Sequence, residues 1–130
     1  MPYTDIKQSN EIDSLWLQDM VTRGLAWLRK SKGITQAILA EKTGWKQPYI
    51  SRLEDANSPI LPALQRIERY ASACGYSGII TFVDQETGEI AQTIALSENA
   101  EQAADALMIR EDAPLRTVTP WQMTDEFLSR

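Results

Sequence analysis

Residues 34–55 read ITQAILAEKTGWKQPYISRLED. Two short helical patterns flank a single glycine, Gly44. A glutamine stands at the start of each, Gln36 in the first and Gln47 in the second. Counting Gln36 as the first position, Ala40 is fifth, Gly44 ninth, Ile50 fifteenth and Leu53 eighteenth. Each of these residue types has a steric reason. A small alanine lets a second helix cross close by. A glycine permits the left-handed backbone of a tight turn. Two aliphatics three apart anchor the second helix on a core and leave its other face free.

That spacing predicts a helix-turn-helix unit. Thr35 is the expected N-cap of its first helix, which runs from Gln36 to Thr43 with Leu39 and Ala40 inward. Trp45 reads as a plug into the core. Lys46 opens the second helix, and Pro48 is tolerated in its first turn, where no intrahelical N–H partner is lost.

The pattern extends both ways. Residues 1–9 are polar and expected to fray. From about Asn10 to Lys32, Leu17, Val21, Leu25 and Leu28 recur at three or four residues and predict a helix. Arg29, Lys30 and Lys32 sit where cations suit the helix dipole, and Gly33 ends it. DANSP is a loop. Ile60 to Cys74 reads as a further helix with Leu61, Leu64, Ile67 and Ala71 as its stripe, Pro62 in its first turn and Gly75 as its cap.

Periodicity changes after Gly75. SGIITFVD and EIAQTIAL, separated by the turn QETGE, predict a β-hairpin. Ser97 is placed to cap a helix from Glu98 to about Ile109, with Ala103, Leu107 and Met108 as its apolar face. REDAPLRTV connects to a last short helix, WQMTDEFLSR, opened by Thr119 and Pro120. The fold class expected is mainly α: a helical bundle over residues 10–75, then a β-hairpin and short helical extension over 76–130.

A chain of 130 residues suits one domain plus an extension. No run approaches the roughly 18 apolar residues a membrane span needs. The N-terminus lacks the basic and apolar regions of an export signal. The single cysteine, Cys74, cannot form an internal disulfide, which fits a cytoplasmic protein. There is no histidine, so no histidine-based triad, and a structural zinc site is not expected. The net charge of −5 disguises a segregation. Residues 22–69 hold nine basic and four acidic residues, a balance of +5; the remaining four basic and fourteen acidic leave −10. An electropositive module inside an acidic chain steers a polyanion by its local field.

The sequence resembles the Xre/λ-repressor-like helix-turn-helix group over about residues 20–75. The matching residues are TQAILAEKTG at 35–44 and QPYISRLE at 47–54, with GLAWLRKSKGI at 24–34 upstream and LPALQRI at 61–67 downstream. Trp45 stands where an aliphatic is usual, and Lys46 where a serine-like cap is usual. The resemblance implies that the helix from Gln47 enters the major groove of double-stranded DNA. Gln47 then reads adenine through an amide that donates and accepts together. Tyr49 is a second reader or thymine-methyl contact, and Arg52 reaches guanine or a phosphate. The competing reading of Arg52 is a local ion pair with Glu54 or Asp55. Gln36 opens the preceding helix at a phosphate and bonds Gln47 as well. Lys46, Lys42, Lys32 and Arg66 contact phosphates, which position rather than specify.

The expected function is a sequence-specific transcriptional regulator, a repressor acting as a homodimer without a cofactor or metal. The hairpin is the expected dimerisation element, since an edge strand offers unpaired backbone groups. The module followed by a strand and extension is also similar to HigA-like antitoxins, which implies a toxin as a possible protein partner. Catalysis is not expected. Glu98, Glu101, Asp105, Glu111 and Asp112 read as a solvated face. The Ser-Lys self-cleaving domain of some repressors is excluded by the absence of lysine after Lys46. Trp16, Trp27 and Trp121 read as packing or interface residues, and Cys74 as a buried small side chain.

Overall fold

A computed structural model describes residues 6–58 and 61–109. The order is α1 (Ile6–Ser31), α2 (Gln36–Thr43), α3 (Gln47–Leu53), α4 (Leu64–Ala73), β1 (Ile79–Val83), β2 (Ile90–Ala95), a 3-10 turn (Glu98–Ala100) and α5 (Glu101–Ile109). The expected fold class holds: helices around a glycine turn, then a hairpin and a short helix. The connector from Arg110 and the last helix fall outside the described residues, as do Glu111, Asp112 and Trp121. No described helix is long and apolar enough to cross a membrane.

The chain divides into two compact units with their boundary between Pro62 and Ala63. The first holds α1–α3. Helix α1 begins at Ile6, several residues before the expected start near Asn10. Its buried face also differs from the expected stripe. Leu17 is exposed, and Val21 and Leu28 are only half-buried. Gln18, Thr22, Leu25 and Arg29 are the buried row, spaced four, three and four, with Met20 beside them. Three of those four are polar, so a search for apolar recurrence finds the row next door. Two of the three find partners: the Thr22 hydroxyl donates to the Gln18 carbonyl at 2.9 Å, and Arg29 is paired as described below. Gly33 ends the helix at φ 67°, as its sequence position predicts.

In the second unit, α4 starts at Leu64, not Ile60. Ala63 is its N-cap, so Pro62 precedes the helix rather than lying in its first turn. The proline bars the α conformation at Leu61 before it. The expected stripe shifts toward the C-terminus. Leu61 and Leu64 are exposed, Ile67 is half-buried, and Tyr70, Ala71 and Cys74 are buried. Tyr70 is fully enclosed, with 0% exposure.

The hairpin forms as predicted, antiparallel, with Ile79 opposite Ala95, Ile80 opposite Ile94, Thr81 opposite Thr93 and Phe82 opposite Gln92. A bulge follows, and Val83 then pairs with Ile90. Asp84 builds the turn: its carboxylate accepts the backbone N–H groups of Glu86 at 2.8 Å and Thr87 at 3.1 Å. Those bonds favour the ionised form and hold the carboxyl below its ordinary range. Gly88 supplies the left-handed turn residue at φ 74°. Helix α5 packs on β2, and the Thr93 hydroxyl donates to the Ala104 carbonyl at 3.3 Å. Its buried residue is Ala104, after the buried Ala100 of the preceding 3-10 turn; Leu107 is half-buried, and Ala103 and Met108 are exposed. Ser97 precedes it, but its side chain makes no cap bond.

Candidate nucleic-acid interface

Helix α2 is set by its two ends. The Thr35 hydroxyl accepts the Ile38 N–H at 3.1 Å, the N-cap bond its position predicts. At the other end Gly44 adopts φ 77° and donates its N–H to the Ala40 carbonyl at 2.9 Å. A β-carbon there meets no neighbouring atom, so the requirement for glycine is the backbone angle and not space. Thr43 adds a second constraint. It is buried, its hydroxyl donates to the Leu39 carbonyl at 2.8 Å, and the same oxygen accepts the Trp45 N–H at 3.2 Å. One hydroxyl thereby closes α2 and aims the chain into α3.

Helix α3 has only seven residues, and Ile50 and Leu53 are its buried ones. Lys46 is its N-cap in extended backbone and makes no side-chain cap bond. The Lys46 carbonyl instead receives the N–H groups of Tyr49 at 3.0 Å and Ile50 at 3.3 Å. Pro48 lies in the first turn without loss, because its missing N–H has no intrahelical acceptor there. With Ile50 and Leu53 turned inward, Lys46, Gln47, Pro48, Ser51 and Arg52 are left exposed. That surface carries two cations, an amide and a hydroxyl, the groups that meet phosphates and base edges. Ser51 belongs to it as well, a residue that no sequence pattern singles out.

The aromatic pair is the feature the sequence did not show. Trp45 is half-buried rather than plugged into the core. Its ring meets that of Tyr49 edge-on, with centroids 5.1 Å apart and planes at 76°. This is the favoured T-shaped arrangement, in which the positive edge of one ring meets the negative face of the other. It restricts the Tyr49 side chain. The departure from an aliphatic at position 45 therefore acts on a neighbour one turn along α3.

A buried ion pair holds the unit together. Arg29 at the end of α1 donates from Nε to Glu54 Oε2 at 2.9 Å and from Nη2 to Oε1 at 2.7 Å. Its Nη1 donates to the Ile34 carbonyl in the α1–α2 turn at 2.9 Å. The two side chains are 9% and 7% exposed. Glu54 is the C-cap of α3, where a negative charge opposes the helix dipole, so the guanidinium offsets an unfavourable placement. Arg29 looked like a dipole partner of its own helix, and Glu54 like a partner for Arg52. The structure joins Arg29 to Glu54 across 25 residues and leaves Arg52 exposed.

The same carboxylate receives Gln36. Its amide nitrogen lies 3.5 Å from Glu54 Oε1, so the side chain is directed at Glu54. Gln36 is half-buried. Lys32 and Lys42 are exposed within the first unit; Arg66 is exposed on α4, in the second.

Residues 22–79 match the family model described as a helix-turn-helix domain. No curated protein and no solved structure matches the chain. The match supports a helix-turn-helix domain over those residues, and with it DNA binding.

Proposed function

We propose that the protein is a sequence-specific transcriptional regulator of the Xre/λ-repressor-like type, a cytoplasmic homodimer that represses by occupying an operator near its own gene. It acts by binding and not by catalysis. The observation that carries this reading is α3: two buried aliphatics fix a helix whose exposed surface presents Lys46, Gln47, Ser51 and Arg52. Gln47, Tyr49 and Arg52 are the base-reading residues. Gln36, Lys46, Lys42, Lys32 and Arg66 contact phosphates. The basic balance of residues 22–69 supports this, since phosphate contacts supply much of the affinity. A dimer suits the family's habit of reading two half-sites about 34 Å apart.

The test is a fluorescence-anisotropy titration against DNA from upstream of the gene, beside random duplex of equal length. Specific autoregulation predicts a preference of about a thousandfold or more at physiological salt. Gln47→Ala should cost about 1–3 kcal/mol on the cognate duplex and almost nothing on random duplex. An equal loss on both would remove Gln47 from the reading set. Lys46→Ala should weaken binding to every sequence and reduce the salt slope by about one. A slope that stays the same would show that Lys46 touches no phosphate.

A second reading has its own supporting observation. Residues 76–109 carry six acidic residues, Asp84, Glu86, Glu89, Glu98, Glu101 and Asp105, and no basic one. That balance suits a basic protein, as for an antitoxin that neutralises a toxin and regulates its own operon. A small basic protein encoded beside this gene, and copurifying with it, would favour this reading over the simple repressor.

A further inference from the structure

We infer that the outer edge of β1 is a self-pairing surface. Two copies join β1 to β1 antiparallel about a two-fold axis at Thr81, giving one four-stranded sheet. The inference rests on the homodimer reading above and names the surface that makes the dimer.

The phase of the hairpin ladder identifies the groups that face outward. The Leu96 N–H donates to the Gly78 carbonyl at 3.0 Å, so Gly78 and Leu96 form a hydrogen-bonded pair. Bonded and non-bonded pairs alternate along an antiparallel ladder. Ile80 and Phe82 therefore bond inward to Ile94 and Gln92, while Ile79 and Thr81 turn their backbone N–H and C=O away from β2. The sheet has two strands among the described residues, and no strand pairs with this edge. Helix α5 packs on β2, while Phe82 and Val83 in the last part of β1 are exposed.

The side chains fit a second copy. The strand is IITFV, with no charge, no proline and no lysine to block pairing. It is apolar on both sides of a central threonine. A two-fold axis at Thr81 sets Thr81 against Thr81 and Ile79 against Val83 of the second copy. It sets Ile80 beside Phe82 of the second copy on the sheet face away from Thr93. That face holds the exposed apolar residues Phe82, at 54%, and Ile94, at 44%. Pairing joins the two half-faces into one apolar strip.

Charge decides where two copies can meet. The segment from 76 to 109 carries six acidic and no basic residues, so like charge opposes most approaches. The edge of β1 is neutral, and the acidic residues Asp84, Glu86 and Glu89 lie at the turn beyond the strand. Self-pairing there brings no two charges opposite one another. It also extends a two-stranded ribbon to four strands.

Two variants of the full chain test the edge. Thr81→Pro removes an N–H that points outward and leaves the β1–β2 bonds in place, the position in a sheet that tolerates proline. By symmetry two bonds are lost, so the dimer dissociation constant measured by sedimentation should rise about 10- to 100-fold, with an unchanged circular dichroism spectrum. Thr81→Cys in a Cys74→Ala background should oxidise to a covalent dimer, because facing residues of a bonded pair lie about 5.5 Å apart between α-carbons, within disulfide reach. Gln92→Cys in the same background should not, since the two β2 strands would lie about 14 Å apart, three strand spacings. A wild-type dimer that survives Thr81→Pro and leaves Thr81→Cys uncoupled would overturn the edge and keep the homodimer. A wild-type monomer at tens of micromolar would overturn both. If Thr81→Pro misfolds, the cysteine pair decides alone.

Discussion

Replacing Glu54 with alanine is expected to cost about 3–5 kcal/mol of folding stability, the range for removing one partner of a buried ion pair. The cause is the partner left behind. Arg29 is 8% exposed as a residue, and two of its nitrogens are committed to the Glu54 carboxylate at 2.9 and 2.7 Å. Without that carboxylate, a guanidinium that cannot lose its proton stays in a low-dielectric site with the Ile34 carbonyl as one acceptor. Natural domains hold only about 5–15 kcal/mol in total, so the variant should sit near its unfolding threshold at 37 °C. Urea denaturation measures the loss. The double variant Arg29→Leu with Glu54→Leu should recover much of it, because an apolar pair of similar volume leaves no orphaned charge. A loss below about 1 kcal/mol for Glu54→Ala would mean that the pair behaves as a solvated surface bridge, and the three-way clasp of α1, the α1–α2 turn and α3 would fall with it.

That clasp marks the limit of what the sequence discloses. The glycine turn, the Thr35 cap, the inward pair Ile50 and Leu53 and the hairpin were legible, because each follows from a local rule: an angle only glycine adopts, a hydroxyl at an N-cap, spacings of three and two. Contacts between distant residues have no such local sign. Arg29 and Glu54 are 25 residues apart, and each had a nearer plausible partner in sequence. The buried row of α1 escaped for a related reason. Gln18, Thr22 and Arg29 are polar, so the apolar recurrence at Leu17, Val21 and Leu28 pointed to the adjacent face. At the candidate interface, residue types pointed to Lys46, Gln47 and Arg52, which the structure leaves exposed, but not to their arrangement. Trp45 reads as core filler from its place in the sequence; its ring instead lies edge-on to Tyr49, half-buried beside Lys46 and Gln47. The hairpin register was legible only as alternation; the phase that turns Ile79 and Thr81 outward came from one bond, Leu96 to Gly78.

Ile50→Ala is expected to cost about 2–5 kcal/mol and to lower binding to every DNA sequence alike. Helix α3 has seven residues, far fewer than the roughly 12–15 at which isolated helices become even marginal in water. Its helicity is therefore supplied by docking, and docking runs through Ile50 and Leu53, at 0% and 6% exposure. Trimming Ile50 removes apolar contact and leaves a cavity under the one element that presents Gln47 and Arg52. The loss should appear in urea denaturation, and Ile50→Val should show only about 0.5–1.5 kcal/mol of it. Ser51→Ala, one residue along on the exposed surface, should stay within about 0.5 kcal/mol. Binding separates the roles. On the proposed reading, Gln47→Ala subtracts a base contact and should affect the cognate duplex alone, whereas Ile50→Ala subtracts folded helix and should reduce cognate and random binding by the same factor. If Ile50→Ala left stability within 1 kcal/mol of wild type, α3 would owe its shape to something other than its two buried side chains, and the surface built on it would need a different support.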